Sequence, residues 1–492
     1  KPLVEIGGIP IIKHQLQAME ANGIGEAVVV LGYKSSMVKD ILLKSEQSKF
    51  IKIIENPEYQ STNNLYSLYL TFAYLKKELC SQKYQKIIVA NGDVVFDKTI
   101  LTDMLRRNRN QIAVDVGRYL DESKKITVDG TGYINNISKE ISETEALGVS
   151  KDLYSFDLIT WREFEAVVSS LVEKENLKSA WTEFALQRLL DEGPYKFIPL
   201  NIKGQYWFEV DTLEDLKEAE RLFCLYRKVK VLLKKRLFMF DLDGTVLIGD
   251  TVLPMIVDFL NLLLRKGKTI VLLTNNSSMS KKEHSERLRK VLHPELREEN
   301  IYTSVEDTIK YLQSENIKKI FLLATPSVSK EFKDSGFILN SDHADAVVVT
   351  FDKSLSYEKL KKASLLLSNN KKVKFILTNR DLRCPTENGF IPDAGSIGRL
   401  LEATTDKKID FFGGKPNPEM ITDVLLKHEM SSKECVFFGD RLYTDINMGD
   451  RSKIMTVLML TGETKLLELD LSFLKKYIVL KDFRELLRLI EG

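Results

Sequence analysis

Phe238-Met-Phe-Asp241-Leu-Asp243-Gly-Thr245 is the stretch of the 492-residue sequence that decides the fold of its second half. The apolar run that opens it predicts a buried strand, which delivers two aspartates to its carboxyl end. Open α/β sheets place their sites at that end of their strands. Two carboxylates there can bind a magnesium ion, and one of them can attack phosphorus. The stretch therefore predicts an α/β fold with a phosphoryl-transfer site.

Three later segments carry groups that suit the same chemistry. They are Ile270-Val-Leu-Leu-Thr274-Asn275-Asn276, Gly413-Gly414-Lys415-Pro416 and Val436-Phe-Phe-Gly439-Asp440-Arg441-Leu-Tyr-Thr444-Asp445. The Thr274 hydroxyl suits a phosphate oxygen, and Lys415 in a tight turn supplies a fixed positive charge. Asp440 can complete the magnesium shell, and Asp445 can orient Lys415 or the metal waters. Each segment alone also fits a helix cap or a surface turn, but their joint occurrence in this order favours one site.

These segments resemble the haloacid dehalogenase superfamily of phosphatases over roughly residues 237–470. The resemblance implies that Asp241 is the nucleophile and forms an aspartyl-phosphate, with Asp243 as general acid and then base. Phosphate would be held by Thr274, Asn275, Gly414 and Lys415. Mg²⁺ would be bound by Asp241, Asp243 and Asp440. An aspartate at position 243 favours phosphatase over dehalogenase chemistry, because a second carboxyl group is needed to shuttle the proton.

The spacing of the segments locates an inserted domain. Only 33 residues separate Asp241 from Thr274, whereas 141 separate Thr274 from Lys415. The strings LLTNNSS and LTNRDLRCPTENGFIPDAGSIGRLLE resemble the nitrophenylphosphatase, phosphoglycolate and glycerol-phosphate phosphatase branch, which carries its cap at this point. The resemblance implies a cap at 302–401 and a phosphatase core at 237–301 and 402–492. Four residues near the cap edge fit either substrate contacts or a structural loop: Arg380, Asp381, Arg383 and Glu387.

The first half carries a different set of polar groups. The strand candidates are 27–31, 51–55 and 87–90, and the string Asn56-Pro57-Glu58-Tyr59-Gln60-Ser61-Thr62-Asn63-Asn64-Leu65-Tyr66-Ser67-Leu68 follows the second. Its residues Thr62, Asn63 and Asn64 lie at a predicted helix start, where they suit either capping or base and ribose recognition. Asp93 ends a strand and Asp211 begins a helix. Each fits a cap alone, but together they can share a magnesium ion on a triphosphate.

Over about residues 1–223 these motifs resemble the nucleoside-diphosphate-sugar pyrophosphorylase-like nucleotidyltransferases. The NPxYxxTNNxxSL string is closest to the phosphocholine and phosphonate cytidylyltransferases. The resemblance implies that a small phospho-alcohol or phosphonate attacks the α-phosphorus of CTP and releases pyrophosphate. Lys1 would neutralise phosphate charge, and Asp93 and Asp211 would bind Mg²⁺. The family's glycine-rich loop precedes the position of Lys1-Pro2, so we expect an amino-terminal segment beyond this sequence.

Two alternatives remain for the first half. The acceptor is a sugar 1-phosphate with another nucleotide, or the domain is a non-catalytic module attached to the phosphatase.

All three tryptophans lie in this half: Trp161, Trp181 and Trp207. With Glu145 or Glu183 they suit an aromatic cage for a quaternary ammonium group such as choline, or else they are packing residues.

Composition limits the remaining choices. A formal charge of +2 gives no reason to expect nucleic acid or an anionic membrane as partner. Four dispersed cysteines suit a reducing cytoplasm, and homo-oligomerisation stays open. The predicted fold is α/β, with two doubly wound parallel-sheet domains and an α/β cap inserted in the second. The first domain, Rossmann-like, would span 1–224, and a linker would span 225–236.

Overall fold

The structure is a computed structural model that describes residues 1–79, 84–117, 123–386 and 389–491. The chain divides into two compact units. The amino-terminal unit comprises Lys1–Phe223 with Arg488–Gly492, and the carboxy-terminal unit comprises Cys224–Leu487. Most of the span predicted as a linker, 225–236, is helical, because Leu213–Lys234 forms one helix. Among the described residues, no helix combines the length and apolar character needed to cross a lipid bilayer.

The amino-terminal unit contains a six-stranded sheet built around one long strand, Gly148–Asp157. Three strands pair antiparallel with it: Lys86–Ala90, Gln111–Val116 and Lys125–Val128. Ile134–Ser138 adds an antiparallel edge, and Ile198–Asn201 adds a parallel one. The prediction of a doubly wound parallel sheet is therefore wrong for this unit, whose described sheet is mixed. A strand buried on both faces fits either pairing direction, so its apolar run could not distinguish them.

Smaller elements complete the amino-terminal unit. Ala27–Leu31 pairs parallel with Ile51–Glu55, and both strands follow the sequence prediction. Val94–Phe96 pairs antiparallel with Trp207–Glu209, which brings two distant parts of the chain together. The helices are Ile11–Ala21, Ser35–Leu43, Asn64–Tyr69, Phe72–Leu79, Lys98–Arg106, Leu158–Glu173 and Thr182–Glu192, and the helix Leu213–Lys234 begins in this unit and continues into the residues of the other.

The carboxy-terminal unit is built on a six-stranded parallel sheet. Its strand order is Ile301–Thr303, Thr269–Thr274, Leu237–Asp241, Cys435–Gly439, Met455–Met459 and Ile478–Leu480. Leu237–Asp241 is a central strand, and both its neighbours run parallel to it. The carboxyl ends of three adjacent strands therefore deliver Asp241, Thr274 and Asp440 to one edge of the sheet. The predicted parallel α/β core of the second half is confirmed.

Aromatic packing fixes the central strands of this sheet. Phe238, Phe240 and Phe438 are fully buried and alternate along their strands, as the period-two side-chain pattern of a strand requires. The rings of Phe240 and Phe438 stack with centroids 4.8 Å apart. The helices beside this sheet are Ile256–Arg265, Lys281–Val291, Glu419–Lys427, Asn447–Arg451, Leu471–Lys476 and Phe483–Glu491.

A second parallel sheet lies within the segment inserted between Thr274 and Lys415. Its order is Ile338–Leu339, Lys319–Leu323, Ala346–Val349, Lys374–Leu377 and Phe411–Phe412. An antiparallel hairpin, Arg383–Thr386 with Gly389–Pro392, accompanies it. Its helices are Ser304–Ser314, Pro326–Asp334, Tyr357–Asn369 and Ala394–Thr405.

The predicted limits of the inserted domain, 302–401, are wrong at both ends. Ile301–Thr303 pairs with the core sheet, so the inserted domain begins after Thr303. Phe411–Phe412 pairs with Lys374–Leu377, so the inserted sheet is completed only just before the chain returns to the core. A two-residue strand is too short to show a period in the sequence, so the pattern alone does not extend the inserted domain to Phe411–Phe412.

Phe438→Ala should destabilise the carboxy-terminal unit by about 3–5 kcal/mol, because a buried ring is removed and its neighbours cannot close the space. Leu426→Ala is the control, since Leu426 is 72% exposed and should shift stability by about 0.5 kcal/mol at most. Urea unfolding followed by circular dichroism measures both variants. Equal stability of the two would contradict the assignment of Phe438 to the core.

Candidate functional site

Lys415 lies between two aspartates at the edge of the core sheet. Its ammonium group contacts a carboxylate oxygen of Asp241, and Oδ1 of Asp445 is 2.8 Å away. All three side chains are buried. Burial alone would lower the pKa of Lys415, but the two carboxylates outweigh it and the pKa is raised above its ordinary value. Lys415 is therefore a buried cation held between two carboxylates.

The Asp440 carboxylate occupies a space left by two glycines. A Cβ atom on Gly462 would lie 1.9 Å from its Oδ2, and one on Gly244, where φ is +95°, would lie 2.6 Å from the same atom. The backbone N–H of Glu463 donates a hydrogen bond to Oδ2, at 2.7 Å. Oδ1 is buried and has no hydrogen-bond partner among the described residues. A buried carboxylate oxygen without a donor is suited to a metal ion.

The donor set fits a hard divalent cation. Asp241, Asp440 and Asp445 each offer a carboxylate oxygen, and these oxygens lie within 4.8 Å of one another. Burial raises the pKa of Asp241 well above its ordinary value, despite the neighbouring Lys415. Burial, followed by the charge of Asp445, raises the pKa of Asp440 to about 6. Three carboxylates beside one ammonium group leave negative charge that Mg²⁺ would balance.

Asp445 and Asp243 differ in their distance from the carboxylate cluster. Asp445, predicted to orient Lys415 or the metal waters, contacts Lys415 and also belongs to the cluster. Asp243, expected as a ligand, lies outside that cluster but lines the adjacent cavity. A π-helical turn, Leu442–Ile446, brings Asp445 back toward the sheet edge, and such turns recur at functional sites.

A small cavity, about 30 Å³ in volume, opens onto these groups. Its lining combines the predicted residues with several from the inserted domain: Asp241, Asp243, Thr274, Asn275, Asn276, Asp381, Arg383, Cys384, Asp393, Lys415 and Arg441. The Thr274 oxygen lines the cavity and accepts a hydrogen bond from the backbone N–H of Asn276, at 3.0 Å. The arrangement can hold a phosphate between Thr274 and Lys415, next to Asp241.

Asn275 and Gly414 shape the turn that carries Lys415. The Lys415 backbone N–H donates to Oδ1 of Asn275 at 2.7 Å, and Nδ2 of Asn275 donates to the Lys415 carbonyl at 3.2 Å. Gly414 has φ +71°, and a Cβ there would meet Oδ1 of Asn275 at 2.5 Å. Both residues were predicted to bind phosphate. Asn275 lines the cavity, but its side chain is engaged by the lysine turn.

Sequence reasoning missed Arg441 and Asp393 in the cavity. Arg441 directly follows Asp440, and that adjacency could have identified it. Asp393 begins the helix Ala394–Thr405 as its N-cap, and burial raises its pKa to about 7. Of the residues predicted near the cap edge, Asp381 and Arg383 line the cavity, whereas Arg380 packs over the ring of Phe412. Glu387 lies outside the described residues.

The amino-terminal unit gathers a second acidic cluster. Oxygens of Asp93, Glu209 and Asp211 lie within 4.8 Å of one another. The ammonium group of Lys1 contacts Asp211 and lies 3.4 Å from Oδ2 of Asp93. Burial, and then the charges of Asp93 and Asp211, raises the pKa of Glu209. Glu209 was missed, although its place two residues before Asp211 could have suggested it.

This cluster opens onto a large cavity, about 1150 Å³ in volume. On the cavity wall, Lys124 contacts Glu183 and lies 3.4 Å from Asp152. Asp152 has a left-handed φ of 50°, within a register shift of the strand Gly148–Asp157. Such irregularities redirect side chains next to functional sites.

The three tryptophans were predicted either to form an aromatic cage or to pack; Trp181 and Trp207 line the cavity with Glu183, whereas Trp161 does not. Trp161 is fully buried in the core, and Glu145 accepts a hydrogen bond from Ser142 away from the cavity. Lys151 lies over the Trp207 ring at 4.1 Å, and Lys124 lies 5.3 Å from the Trp181 ring. Aromatic faces already occupied by lysines of the chain are poor sites for a quaternary ammonium group.

The predicted nucleotide-binding residues have local roles. Asn63 is the N-cap of the helix Asn64–Tyr69, and the Thr62 hydroxyl donates to the Glu58 carbonyl at 2.9 Å. Asn64 links two segments: its Nδ2 donates to Asn91 at 3.3 Å, and its Oδ1 accepts from Thr182 at 2.9 Å. None of the three is among the residues that line the described cavity.

Three family matches cover parts of the chain. Residues 238–338 match the family described as haloacid dehalogenase-like hydrolase. Residues 412–486 match a second description of the same group, HAD-hydrolase-like. Residues 10–127 match a domain of unknown function, DUF6564.

Individual relatives align with the carboxy-terminal half. Ribonucleotide monophosphatase NagD from Escherichia coli (strain K12) is 29% identical over 230 residues, 47% of this chain and 89% of the relative. A 4-nitrophenylphosphatase structure from Thermotoga maritima is 37% identical, covering 53% of this chain and 98% of that chain with a TM-score of 0.48. Chloroplastic phosphoglycolate phosphatase 1A from Arabidopsis thaliana is 30% identical over 253 residues, 46% of this chain and 69% of the relative. This chain accordingly belongs, through its carboxy-terminal unit, to the phosphatases of the haloacid dehalogenase-like hydrolases.

Proposed function

We propose that the carboxy-terminal unit hydrolyses small phosphomonoesters through a phosphoryl group carried on Asp241. The observation that supports this most directly is the contact between the buried Asp241 carboxylate and the buried Lys415 ammonium group. A carboxylate in contact with a fixed cation, beside the Thr274 hydroxyl, is placed to attack a phosphorus atom held by the same cation.

In the first half-reaction, an Asp241 oxygen forms a bond to phosphorus and the bond to the leaving oxygen breaks. Asp243 gives its proton to that oxygen, so the leaving group departs as a neutral alcohol while the phosphoryl group stays on Asp241. Lys415 neutralises charge that develops on the phosphoryl oxygens. Asp445 keeps the lysine in place through its 2.8 Å ion pair.

In the second half-reaction, Asp243 takes a proton from a water molecule, and the water oxygen forms a new bond to phosphorus. The bond between phosphorus and Asp241 breaks, which releases inorganic phosphate and restores the carboxylate. Asp241, Asp440 and Asp445 would hold a Mg²⁺ ion at this site. When bound, that ion screens the negative charges of the carboxylate and the phosphate so that they can approach each other.

The substrates are proposed from the relatives and the cavity. The named relatives are a ribonucleotide monophosphatase and a phosphoglycolate phosphatase, which share phosphomonoesters as a class. The described cavity is only about 30 Å³, and this favours a compact leaving group unless the inserted domain moves. The kcat/KM values measured for a panel of small phosphate esters, sugar phosphates and nucleotides would rank the candidate substrates.

Asp241→Asn should abolish hydrolysis of nitrophenylphosphate, by about 10⁴-fold or more in kcat, because the amide cannot form the acyl-phosphate. Asp342→Asn is the matched control, since Asp342 is exposed on the inserted domain and pairs only with Lys362 in the described contacts. Steady-state assays measure both. Substantial hydrolysis by Asp241→Asn would place the nucleophile elsewhere.

Asp243→Asn should slow hydrolysis in a manner that depends on the leaving group. Glycerol phosphate needs a proton on its leaving oxygen, so its kcat should fall by about 10²–10⁴-fold. Nitrophenolate leaves without a proton, so the variant should release it in a burst equal to the enzyme concentration and then stall. Stopped-flow absorbance measures the burst. Equal losses for both substrates without a burst would remove Asp243 from the acid–base role.

The amino-terminal unit is proposed to be a cytidylyltransferase. The supporting observation is that Asp93, Glu209 and Asp211 converge beside Lys1 at the mouth of a cavity large enough for a nucleotide. These carboxylates suit a Mg²⁺ ion. A Mg²⁺ ion bound there would neutralise negative charge on the triphosphate. A phosphate or phosphonate oxygen of the acceptor would bond to the α-phosphorus of CTP, with pyrophosphate as the leaving group. The choice of CTP follows the NPxYxxTNNxxSL string.

Asp211→Asn should remove pyrophosphate release while leaving nitrophenylphosphate hydrolysis unchanged, because the two carboxylate clusters lie in different units. Asp191→Asn, at an exposed position of the same unit, is the control. The full-length protein is assayed with a panel of nucleotides and acceptors. Preference for UTP or dTTP with a sugar 1-phosphate would replace the cytidylyl proposal. Absence of pyrophosphate with every pair would favour a non-catalytic module.

A further inference from the structure

Asp381 belongs to the inserted domain but reaches the catalytic groups of the core. It lies between the strand Lys374–Leu377 and the hairpin strand Arg383–Thr386, and its side chain is only 9% exposed. None of the chemical steps above uses it. A buried carboxylate at the junction of two sheets needs partners, and those partners indicate what it does.

Both the side chain and the backbone of Asp381 are tied to Asn275. Oδ2 of Asp381 accepts a hydrogen bond from Nδ2 of Asn275 at 3.1 Å. The Asp381 backbone N–H donates to Oδ1 of Asn379 at 2.8 Å, and Nδ2 of Asn379 donates to the Asn275 carbonyl at 2.8 Å. The guanidinium of Arg441 lies 3.5 Å from the same Oδ2 atom.

The side-chain amide of Asn275 links Asp381 to Lys415, because it is hydrogen-bonded to both residues. A carboxylate only accepts hydrogen bonds, so Asp381 requires the Nδ2 side of the amide to face it. With that orientation, Oδ1 of Asn275 receives the Lys415 N–H at 2.7 Å. The reversed amide would set a donor against the Lys415 N–H and an acceptor against the Asp381 carboxylate. The Lys415 carbonyl accepts from the same Nδ2 atom at 3.2 Å, so Asp381 reinforces the amide orientation that the lysine turn requires.

We propose that Asp381 is a positioning residue of the phosphatase reaction. It acts through Asn275 to keep the Lys415 ammonium group in contact with the Asp241 carboxylate. The proposal rests on the proposed function of the carboxy-terminal unit. It means that a residue of the inserted domain completes the phosphate site of the core. The rival role for Asp381 is direct contact with the leaving group, because its side chain also lines the cavity.

The positioning role has a kinetic signature. Lys415 acts on charge that develops at phosphorus, so a displaced lysine lowers kcat for every leaving group alike. Misplacement by about 1 Å costs on the order of 100-fold in rate. Asp381→Ala should therefore lower kcat about 10- to 100-fold, with KM within about threefold, for both nitrophenylphosphate and glycerol phosphate. A leaving-group contact would instead change KM differently for the two substrates.

A double-mutant cycle tests the route through Asn275. If Asp381 acts through that amide, Asp381→Ala should have little further effect in an Asn275→Ala background, so that the double variant resembles Asn275→Ala. Asp381→Asn should recover most of the activity, because its amide oxygen still accepts from Asn275. Asp342→Ala, at an exposed position of the same domain, is the control. Thermal unfolding checks each variant, and Asp381→Ser replaces Asp381→Ala if the latter does not fold.

Three outcomes would overturn the inference. They are multiplicative losses in the double variant, KM changes that follow the leaving group, and unchanged kcat in Asp381→Ala. Failure of the underlying function is distinguishable, because Asp241→Asn would then retain hydrolysis. An inactive Asp241→Asn combined with a fully active Asp381→Ala would leave the aspartyl-phosphate mechanism standing and remove only the role of Asp381.

Discussion

The carboxy-terminal unit depends on burying one ammonium group among three carboxylates. Lys415 and the aspartates around it are nearly inaccessible, and such burial is strongly unfavourable unless every charge is compensated. Burial raises the pKa values of Asp241 and Asp440, and the charge of the neighbouring Asp445 adds to the effect. A divalent cation would offset this negative charge, and a phosphate could then bind beside the aspartates without facing their full repulsion.

The core sheet brings these charges together, and small residues allow them to fit. Parallel neighbours on both sides of Leu237–Asp241 direct Thr274 and Asp440 to the edge where Asp241 ends. Gly439 lies so close to Asp445 that a Cβ there would be 2.3 Å from its Cβ. The glycine before Asp440 is therefore a condition for Asp445 to contact Lys415, since any side chain at 439 would displace that carboxylate.

The sequence predicted the phosphatase site better than its surroundings. Asp241, Thr274, Lys415 and Asp440 follow from short motifs at strand ends, because local backbone geometry fixes where such residues point. The presence of Asp445 in the carboxylate cluster depends on a π-helical turn that has no clear pattern in the sequence. In the amino-terminal unit, the convergence of Asp93 with Asp211 was predicted, whereas the mixed sheet was not, because pairing direction depends on distant partners.

The two proposed sites use similar groups but differ in exposure, and that difference suits their proposed reactions. Lys415 is 5% exposed beside a cavity of about 30 Å³, whereas Lys1 is 48% exposed beside one of about 1150 Å³. An aspartyl-phosphate must be formed in a site where water enters under control, so a closed pocket is needed. Transfer between two soluble substrates has no covalent intermediate to protect and must admit both molecules at once. An open cavity with the half-exposed Lys1 as counter-charge is therefore sufficient for the amino-terminal unit, while the proposed reaction of the carboxy-terminal unit suits the closed pocket around Lys415.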